Sequence, residues 1–323
     1  MSIRGGISRG LTAWVGVVAV VAALCQGVGP AASAPAVTGS KQITDRLSII
    51  YVYSPSMNRV IPNQVLRPAG NSAGAPTFYL LNGKGGGTEG DSWVTYTNYE
   101  GFFAGKRVNV VSPLGGKYSW YADWRGPDLV TGTNKWQTYL TRELPAALAP
   151  ELKSNGANAI AGLSMSGGPA LDLAGQAPDV YRAVASYSGC PAIGSPLGTA
   201  AVSATVASGG ANPLAMYGPP GDPAWAWHDA TLHPNRLRGK AIYISAATGL
   251  PSASPGPAAV PLFFGPAQVE VITRQCTDQM AGALRSAGIG HTYKVFPTGA
   301  HTWGSFEQQM RDSWRVIGPA IGA

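Results

Sequence analysis

The sequence predicts an α/β fold, with helices on both faces of a mostly parallel central sheet. Short runs of apolar, β-branched and aromatic residues recur along the chain, and patterns with helical periodicity separate them. Hydrophobic residues make up 45% of the 323 residues and charged residues only 12%, so the chain can bury a large core. Strands that alternate with helices run parallel, because each helix returns the chain to the same edge of the sheet.

Seven strands and four helices follow from these patterns. The strands are predicted at residues 47–53, 77–81, 108–112, 157–163, 183–188, 241–245 and 291–296. The helices are predicted at residues 136–148, 167–176, 271–287 and 306–321. Two stretches rich in Gly, Ser, Ala and Pro, 194–220 and 251–261, are interpreted as insertions. Neither is charged enough to act as a linker, so residues 37–323 are expected to form one domain.

The first 36 residues have the pattern of a secretory signal peptide. Arg4 and Arg9 precede an uncharged run at 11–24, and a small-residue stretch offers cleavage near Ala34 or Ala36. The uncharged run is shorter than the roughly 20 residues that a membrane-spanning helix needs. An uncleaved anchor is the alternative. We therefore expect cleavage of the leader and a secreted protein.

Charge and cysteine content bear on the class of partner. The formal net charge is +7, or +5 without the two leader arginines, and no run of Lys or Arg concentrates it. This argues against nucleic-acid binding. The cysteines and histidines show no spacing typical of zinc. Cys190 and Cys276 follow the leader and could pair in an oxidising compartment, but the sequence leaves their pairing open.

The chemical signal follows the fourth predicted strand, in residues 162–168 (GLSMSGG). A strand that ends in a sharp small-residue turn and presents a serine ahead of a helix is typical of the nucleophile elbow of α/β-hydrolases. Glycine suits such a turn because neighbouring backbone must pass without Cβ clashes. The spacing fits both Ser164 and Ser166, and Ser164 is favoured because it directly follows the strand. An ordinary glycine-rich turn is the alternative.

A nucleophilic serine needs a base and an acid that orients the base, in the order Ser, acid, His in this fold. The histidines after the elbow are His228, His233, His291 and His301. Of these, His301 lies between the last predicted strand and the last helix, where the base belongs. The acidic residues between Ser164 and His301 are Asp172, Asp179, Asp222, Asp229, Glu270 and Asp278. On position alone, Glu270 and Asp278 are nearly equal candidates for the acid that orients the histidine.

Six ordered motifs resemble the secreted mycolyltransferases of the antigen 85 type. They are residues 79–83 (YLLNG), 118–124 (YSWYADW), 136–145 (WQTYLTRELP), 162–168 (GLSMSGG), 216–225 (MYGPPGDPAW) and 299–303 (GAHTW). Residues 53–57 (YSPSM) also resemble that family's first strand. The likeness covers nearly the whole chain after the leader. It implies an α/β-hydrolase-fold acyltransferase of the cell wall that moves mycolic acids between trehalose esters or onto arabinogalactan.

The resemblance also implies a role for each candidate site residue. Ser164 would be the nucleophile, His301 the general base, and Glu270, expected ahead of the helix at 271–287, the orienting acid. The main-chain N–H groups of Met165 and Lys84 would form the oxyanion hole. Such a mechanism requires no metal and no organic cofactor.

The chain departs from the family at the substrate contacts. Where the family has an Asp-Gly-x-Arg run that helps hold trehalose, residues 82–87 read NGKGGG. Asn82 and Trp303 are the substrate-binding candidates, and the aromatic residues of 118–124 suit a groove for sugar or lipid, with core packing as the alternative. We expect a monomer, a mycolyl-trehalose or other acyl lipid donor, and a carbohydrate acceptor. The alternatives are a secreted carboxylesterase or lipase that uses water, and a non-catalytic envelope-binding protein.

Overall fold

The computed structural model describes residues 34–250 and 265–323. The described residues from Ala34 onward form one compact unit. Nearly all of the predicted leader, and the predicted insertion at 251–261, lie outside the described residues. Leader cleavage therefore stays a prediction. Among the helices that the structure describes, none is both long and apolar enough to cross a bilayer.

A nine-stranded sheet forms the centre of the molecule, in the order β1-β2-β3-β5-β4-β6-β7-β8-β9. The strands are β1 (Ala36–Gln42), β2 (Leu47–Ser54), β3 (Arg59–Leu66), β4 (Thr77–Leu81), β5 (Asn109–Pro113), β6 (Asn158–Leu163), β7 (Tyr181–Tyr187), β8 (Ala241–Ala247) and β9 (Thr292–Phe296). From β5 to β9 every pairing is parallel, whereas β1, β2 and β3 pair antiparallel and β3 joins β5 antiparallel. The predicted mostly parallel sheet is confirmed.

Ten α-helices are present among the described residues. They are α1 (Trp93–Tyr96), α2 (Tyr99–Phe102), α3 (Trp136–Thr138), α4 (Leu144–Leu152), α5 (Gly167–Gln176), α6 (Pro196–Ser208), α7 (Leu214–Tyr217), α8 (Pro223–Trp227), α9 (Pro266–Ser286) and α10 (Trp303–Ile321). A π-helical turn, Tyr139–Glu143, joins α3 to α4, so the helix predicted at 136–148 is one interrupted segment that continues to Leu152.

Two apolar cores flank the sheet because successive strand residues point to opposite faces. On β4, Tyr79 and Leu81 pack into one core, and Phe78 and Leu80 into the other. The first core also contains residues of α4, α5 and α9, and the second contains residues of α1 and α10. Helices therefore cover both faces, as the sequence predicts.

The structure contains elements that the sequence patterns do not predict, among them β1 and β3. β1 is an exposed edge strand without an apolar pattern, and polar Asn63 is buried in β3, where its amide donates to Ile50 O and Tyr139 Oη. The stretch at 194–220, interpreted as an insertion, contains α6, and Ser195 caps that helix. The helix is not predicted because its small apolar residues give no clear periodicity.

Candidate active site

The turn after β6 forces a serine into an unusual backbone conformation. Ser164 has φ +52°, in the left-handed region that non-glycine residues rarely adopt. A Cβ on Gly162 would collide with the main-chain carbonyl of Ser166. A Cβ on Gly167 would lie 2.7 Å from the Cα of Gly189, in the loop after β7. Glycine at these two positions lets the neighbouring backbone segments pass and the turn close.

The two serines of the turn have different environments. Ser166 is fully buried, and its Oγ accepts from Leu163 N at 2.9 Å and donates to Leu163 O at 3.0 Å. Its hydroxyl therefore closes the turn. Ser164 Oγ instead lies 2.7 Å from His301 Nε2. Of the two serines that the spacing allowed, Ser164 is the one whose hydroxyl contacts a histidine.

His301 lies between β9 and α10 and is 3% exposed. Its Nδ1 is 2.9 Å from Glu270 Oε2, and its ring packs edge-on against Phe306, with centroids 4.9 Å apart. A carboxylate that accepts from Nδ1–H leaves Nε2 with its lone pair toward Ser164. The pair is therefore arranged for His301 to take a proton from the serine hydroxyl.

Glu270 is completely buried and receives three donors. Besides His301, its Oε1 accepts from Ser188 Oγ at 2.7 Å and from Ala247 N at 2.6 Å. These donors compensate the burial of a carboxylate, which is otherwise costly. Glu270 lies inside α9 rather than ahead of it, because Pro266 at the first turn starts the helix earlier than its apolar pattern indicates.

The other candidate acids and histidines lie in other surroundings. Asp278 accepts from Tyr293 Oη near the surface, and Asp172 pairs with His228 at 2.7 Å. His291 and His233 bond main-chain carbonyls, those of Ile289 and Ala226. The structure therefore joins Ser164 to one histidine and one acid. Among the described residues, no group of three His, Cys, Asp or Glu side chains is placed to hold a metal ion.

The segments implied for the oxyanion hole meet at the same edge of the sheet. β4 pairs parallel with β6, so that Leu81 lies opposite Gly162. The loop after β4 then passes the elbow, where a Cβ on Gly83 would lie 3.8 Å from Ser164 Cβ. The carbonyl of Lys84 accepts from Tyr118 N at 3.0 Å, which holds this loop in place.

The two substrate-binding candidates are buried. Asn82 is fully covered, and its side chain donates to Pro113 O and accepts from Trp93 N. Trp303 is 2% exposed, and its indole N–H donates to Asp91 Oδ1 at 3.1 Å. The polar atoms of both side chains bond neighbouring loops. Their contact with substrate stays a prediction.

The aromatic motif at 118–124 is also mainly part of the core. Trp120, Tyr121 and Trp124 are at most 4% exposed, and Trp124 Nε1 donates to Ser119 O at 2.8 Å. Of the two interpretations of this motif, packing is the one that these positions support. Beside it, residues that include Arg59, Lys117, Tyr118 and Val130 line an open cavity of about 400 Å³.

Sequence reasoning missed the contribution of the loop after β7. Ser188 has φ +48° and is fully buried, and it donates to Glu270. The available signal was a Ser-Gly pair directly after a strand that neighbours β6 in the sheet. Two residues on, Cys190 forms a disulfide with Cys276 of α9. The pairing that the sequence left open therefore fastens this loop to the helix that carries Glu270.

Comparisons with known proteins agree with this architecture. A family model described as putative esterase matches residues 54–316. The diacylglycerol acyltransferase/mycolyltransferase Ag85C of Mycobacterium avium is 33% identical over 309 residues, which cover 91% of this chain and 83% of the relative. The MPT51/MPB51 antigen of Mycobacterium bovis is 32% identical over 309 residues, with 94% and 95% covered.

Solved structures give the same result for the fold. The crystal structure of Mycobacterium tuberculosis MPT51 has a TM-score of 0.73 and 28% identity, and covers 86% of this chain and 100% of that one. An S-formylglutathione hydrolase from Agrobacterium tumefaciens has a TM-score of 0.62 at 16% identity, with 89% and 100% covered. The second likeness shows the fold alone.

Proposed function

The chain belongs to the putative esterase family, with the antigen 85 mycolyltransferases and MPT51 as relatives, and from this membership we propose a serine acyltransferase. It transfers mycolyl or other long-chain acyl groups from trehalose esters to cell-envelope acceptors, through an acyl group carried on Ser164. The observation that carries the proposal is the hydrogen-bonded series Ser164, His301 and Glu270 on a left-handed elbow. The leader pattern supports a site of action outside the cell.

The first half-reaction forms the acyl-enzyme. His301 Nε2 takes the proton of Ser164 as Oγ attacks the carbonyl carbon of the donor ester, and Glu270 holds the imidazole and its developing positive charge. The carbonyl π bond opens to give a tetrahedral intermediate. When it collapses, the bond to the sugar oxygen breaks, and that oxygen leaves with the proton from His301.

The oxyanion of the intermediate needs two donors that are already in place. The main-chain N–H groups of Met165 and Lys84 supply them in this proposal, supported by the passage of the loop after β4 beside the elbow. Each such donor contributes about 10²–10³ in rate. Because only the main chain is used, the side chain at residue 84 is free to differ from that of relatives.

The second half-reaction sets the product. A hydroxyl of the acceptor gives its proton to His301 as its oxygen attacks the acyl carbonyl, and Ser164 regains its proton when the new ester is released. A carbohydrate hydroxyl gives transfer, whereas water gives the free acid. The same groups serve both outcomes, so acceptor binding decides between transferase and esterase.

The acceptor region supports a changed sugar preference. Gly85 lies where the antigen 85 type has arginine, and a Cβ there would collide with the carboxylate of Asp91. An arginine could not occupy this position unless Asp91 moved. We therefore expect weaker selection for trehalose than in relatives that retain the arginine.

Replacing Ser164 with Ala tests the assignment of the nucleophile. Turnover of a soluble ester such as p-nitrophenyl butyrate should fall by roughly 10³–10⁶, while the circular dichroism spectrum stays that of the wild type. A fluorophosphonate should label the wild type and not Ser164→Ala. Wild-type activity in the variant would refute the proposal.

Product analysis separates the acyltransferase from an esterase. With a trehalose ester as donor and a sugar as acceptor, we expect the acyl chain mainly on the sugar. Mainly free acid would favour the esterase alternative. Failure of the folded wild type to react with the fluorophosphonate would favour a non-catalytic protein.

A further inference from the structure

A buried series of hydrogen bonds continues beyond Glu270. Ser188 Oγ donates to Glu270 Oε1 at 2.7 Å, and Gln309 Nε2 donates to Ser188 Oγ at 2.8 Å. Ser245 Oγ in turn donates to Gln309 Oε1 at 2.7 Å. Ser188, Ser245 and Gln309 are at most 1% exposed. They come from the loop after β7, from β8 and from α10, so the series links three elements around the acid.

With the Gln309 amide placed as the structure has it, the direction of each bond in the series follows from the chemistry of these groups. An amide nitrogen can only donate, so Gln309 Nε2 uses Ser188 Oγ as an acceptor. The single hydroxyl hydrogen of Ser188 is then left for the carboxylate of Glu270. Ser245 donates to the amide oxygen and so selects which end of the Gln309 amide faces Ser188. Burial means that each group depends on these protein partners.

Bonds aligned in this way strengthen one another, because each donor polarises the next. Gln309 therefore acts on Glu270 without touching it. We propose that Gln309 is a positioning residue for the acyl-transfer reaction: it holds the Ser188 hydroxyl as a donor to Glu270 and so keeps the carboxylate aimed at His301 Nδ1. This inference rests on the proposed function for its kinetic consequences, and on the hydrogen bonds alone for its structural ones.

Loss of Gln309 should change the pH profile of the reaction. If Glu270 loses the Ser188 donor, its carboxylate becomes a stronger acceptor and holds protonated His301 more tightly. Within the described part of the chain, His301 is the titratable side chain hydrogen-bonded to Glu270. Loss of Gln309 should therefore move the acid limb of kcat/KM to higher pH, which a general packing defect would not do.

Gln309→Met tests the proposal, with Gln308→Met as the matched control. Methionine keeps the volume and removes both polar atoms, and Gln308 is the exposed neighbour on the same helix. For p-nitrophenyl butyrate we expect kcat/KM to fall roughly tenfold in Gln309→Met, the effect of about one hydrogen bond, with KM nearly unchanged. The midpoint of its acid limb should rise. Gln308→Met should match the wild type in both measurements.

A second measurement does not depend on turnover. The His301 Nδ1–H proton should give a strongly deshielded signal in proton NMR, identified by its absence from His301→Gln. We expect that signal to shift in Gln309→Met and to stay in place in Gln308→Met. Ser245→Ala should change the signal and the acid limb in the same direction but less, because the Gln309 amide keeps its bond to Ser188 while losing the partner that orients it.

Several outcomes would overturn the inference. A folded Gln309→Met with wild-type kcat/KM, acid midpoint and NMR signal would do so. A fall in kcat/KM without any change in midpoint or signal would reduce Gln309 to a packing residue. If Gln309→Met does not fold, Ser245→Ala carries the test, and an unchanged signal and midpoint there would overturn it. A wild type inactive toward every ester, with the NMR response intact, would contradict the proposed function while supporting this inference.

Discussion

Ser164 shows how a single residue depends on its neighbours for an unfavourable conformation. Its left-handed backbone, φ +52°, costs on the order of 1–3 kcal/mol and persists only where the surroundings enforce it. The bonds of Ser166 to the main chain of Leu163 close the turn, and Gly162 leaves room for the carbonyl of Ser166. The angle at which Ser164 meets His301 therefore depends on atoms that take no part in the chemistry.

Replacing Gly162 with Ala tests that dependence. The added methyl would collide with the Ser166 carbonyl, so we expect the free energy of unfolding to fall by about 1–3 kcal/mol. Ester turnover should fall as well, because the turn must shift. Urea unfolding and kcat/KM measure the two effects. Gly105→Ala is the control, since a Cβ there meets nothing within 4 Å. Equal stability and activity in both variants would contradict this explanation of the elbow.

A second prediction at this scale concerns Asp91. Burial raises its pKa above the ordinary value of 3.8, against the hydrogen bond from Trp303 and the attraction of Lys84 and Lys117. Just above pH 3.8 the folded chain thus binds more protons at this site than the unfolded chain. The contribution of Asp91 to stability is therefore fully present below pH 3.8 and decreases as the pH rises from there through the raised pKa of the folded state.

Asp91→Asn removes this titration. The free energy of unfolding of the wild type minus that of Asp91→Asn should fall as the pH rises above 3.8, because the raised pKa keeps the folded-state carboxyl protonated to higher pH than the unfolded one. Urea titrations of both proteins at several pH values measure the difference. If this difference stays constant or rises with pH, burial is not the main influence on the pKa of Asp91.

At the scale of elements, the disulfide between Cys190 and Cys276 joins the loop after β7 to α9. That loop carries Ser188, and α9 carries Glu270, so the covalent link and the hydrogen bond between these two side chains restrain the same contact. The pairing connects residues 86 apart in sequence. A link across such a long segment restricts the unfolded chain strongly.

Removing the disulfide should affect both stability and chemistry. In Cys190→Ala/Cys276→Ala the free energy of unfolding should fall by about 2–5 kcal/mol. Because α9 carries Glu270, kcat should fall while KM changes less. Urea unfolding and steady-state kinetics measure these effects. Dithiothreitol should bring the wild type toward the double variant and leave the double variant unchanged. A wild type that keeps its full stability in reductant would contradict this role.

At the scale of the whole molecule, the candidate site depends on the interior of the sheet. Ser164, Ser188 and Ala247 belong to β6, β7 and β8 or follow them directly, and these strands are adjacent. β1 lies at the far edge, is mostly exposed, and pairs with β2 alone. Loss of that edge strand leaves every hydrogen bond of the site intact.

A chain that begins at Ile43 should therefore keep its catalytic power. We expect kcat/KM within about twofold of that of a chain beginning at Ala34, and a Tm lower by about 2–8 °C, since one edge strand is lost. Differential scanning calorimetry and ester kinetics measure the two quantities. A loss of activity at temperatures where the shortened chain is folded would mean that the edge strand reaches the site.

Local patterns predict elements that have a strong apolar signal. The helix at 167–176 matches α5, and the strand at 77–81 matches β4, because each buries a continuous apolar segment. β1 and α6 escape prediction for opposite reasons. β1 buries too little to need an apolar pattern. α6 buries one face, with Gly198, Thr199, Val202 and Val206, but its outer positions also carry small apolar residues, so its two faces differ little in hydrophobicity. Periodicity reports a contrast between faces, so it fails where burial is absent or where both faces are apolar.

The amino-acid sequence is enough to predict the fold class and the serine turn, since both follow from neighbouring residues, and its motifs imply Ser164, His301 and Glu270. Tertiary structure alone decided that Asn82 and Trp303 are buried, that Cys190 pairs with Cys276, and that Ser188, Gln309 and Ser245 continue the series from Glu270. Ser188 and Gln309 are 121 residues apart in the chain. Contacts of this kind depend on the packing of strands and helices against one another, and no local pattern of residue types records that packing.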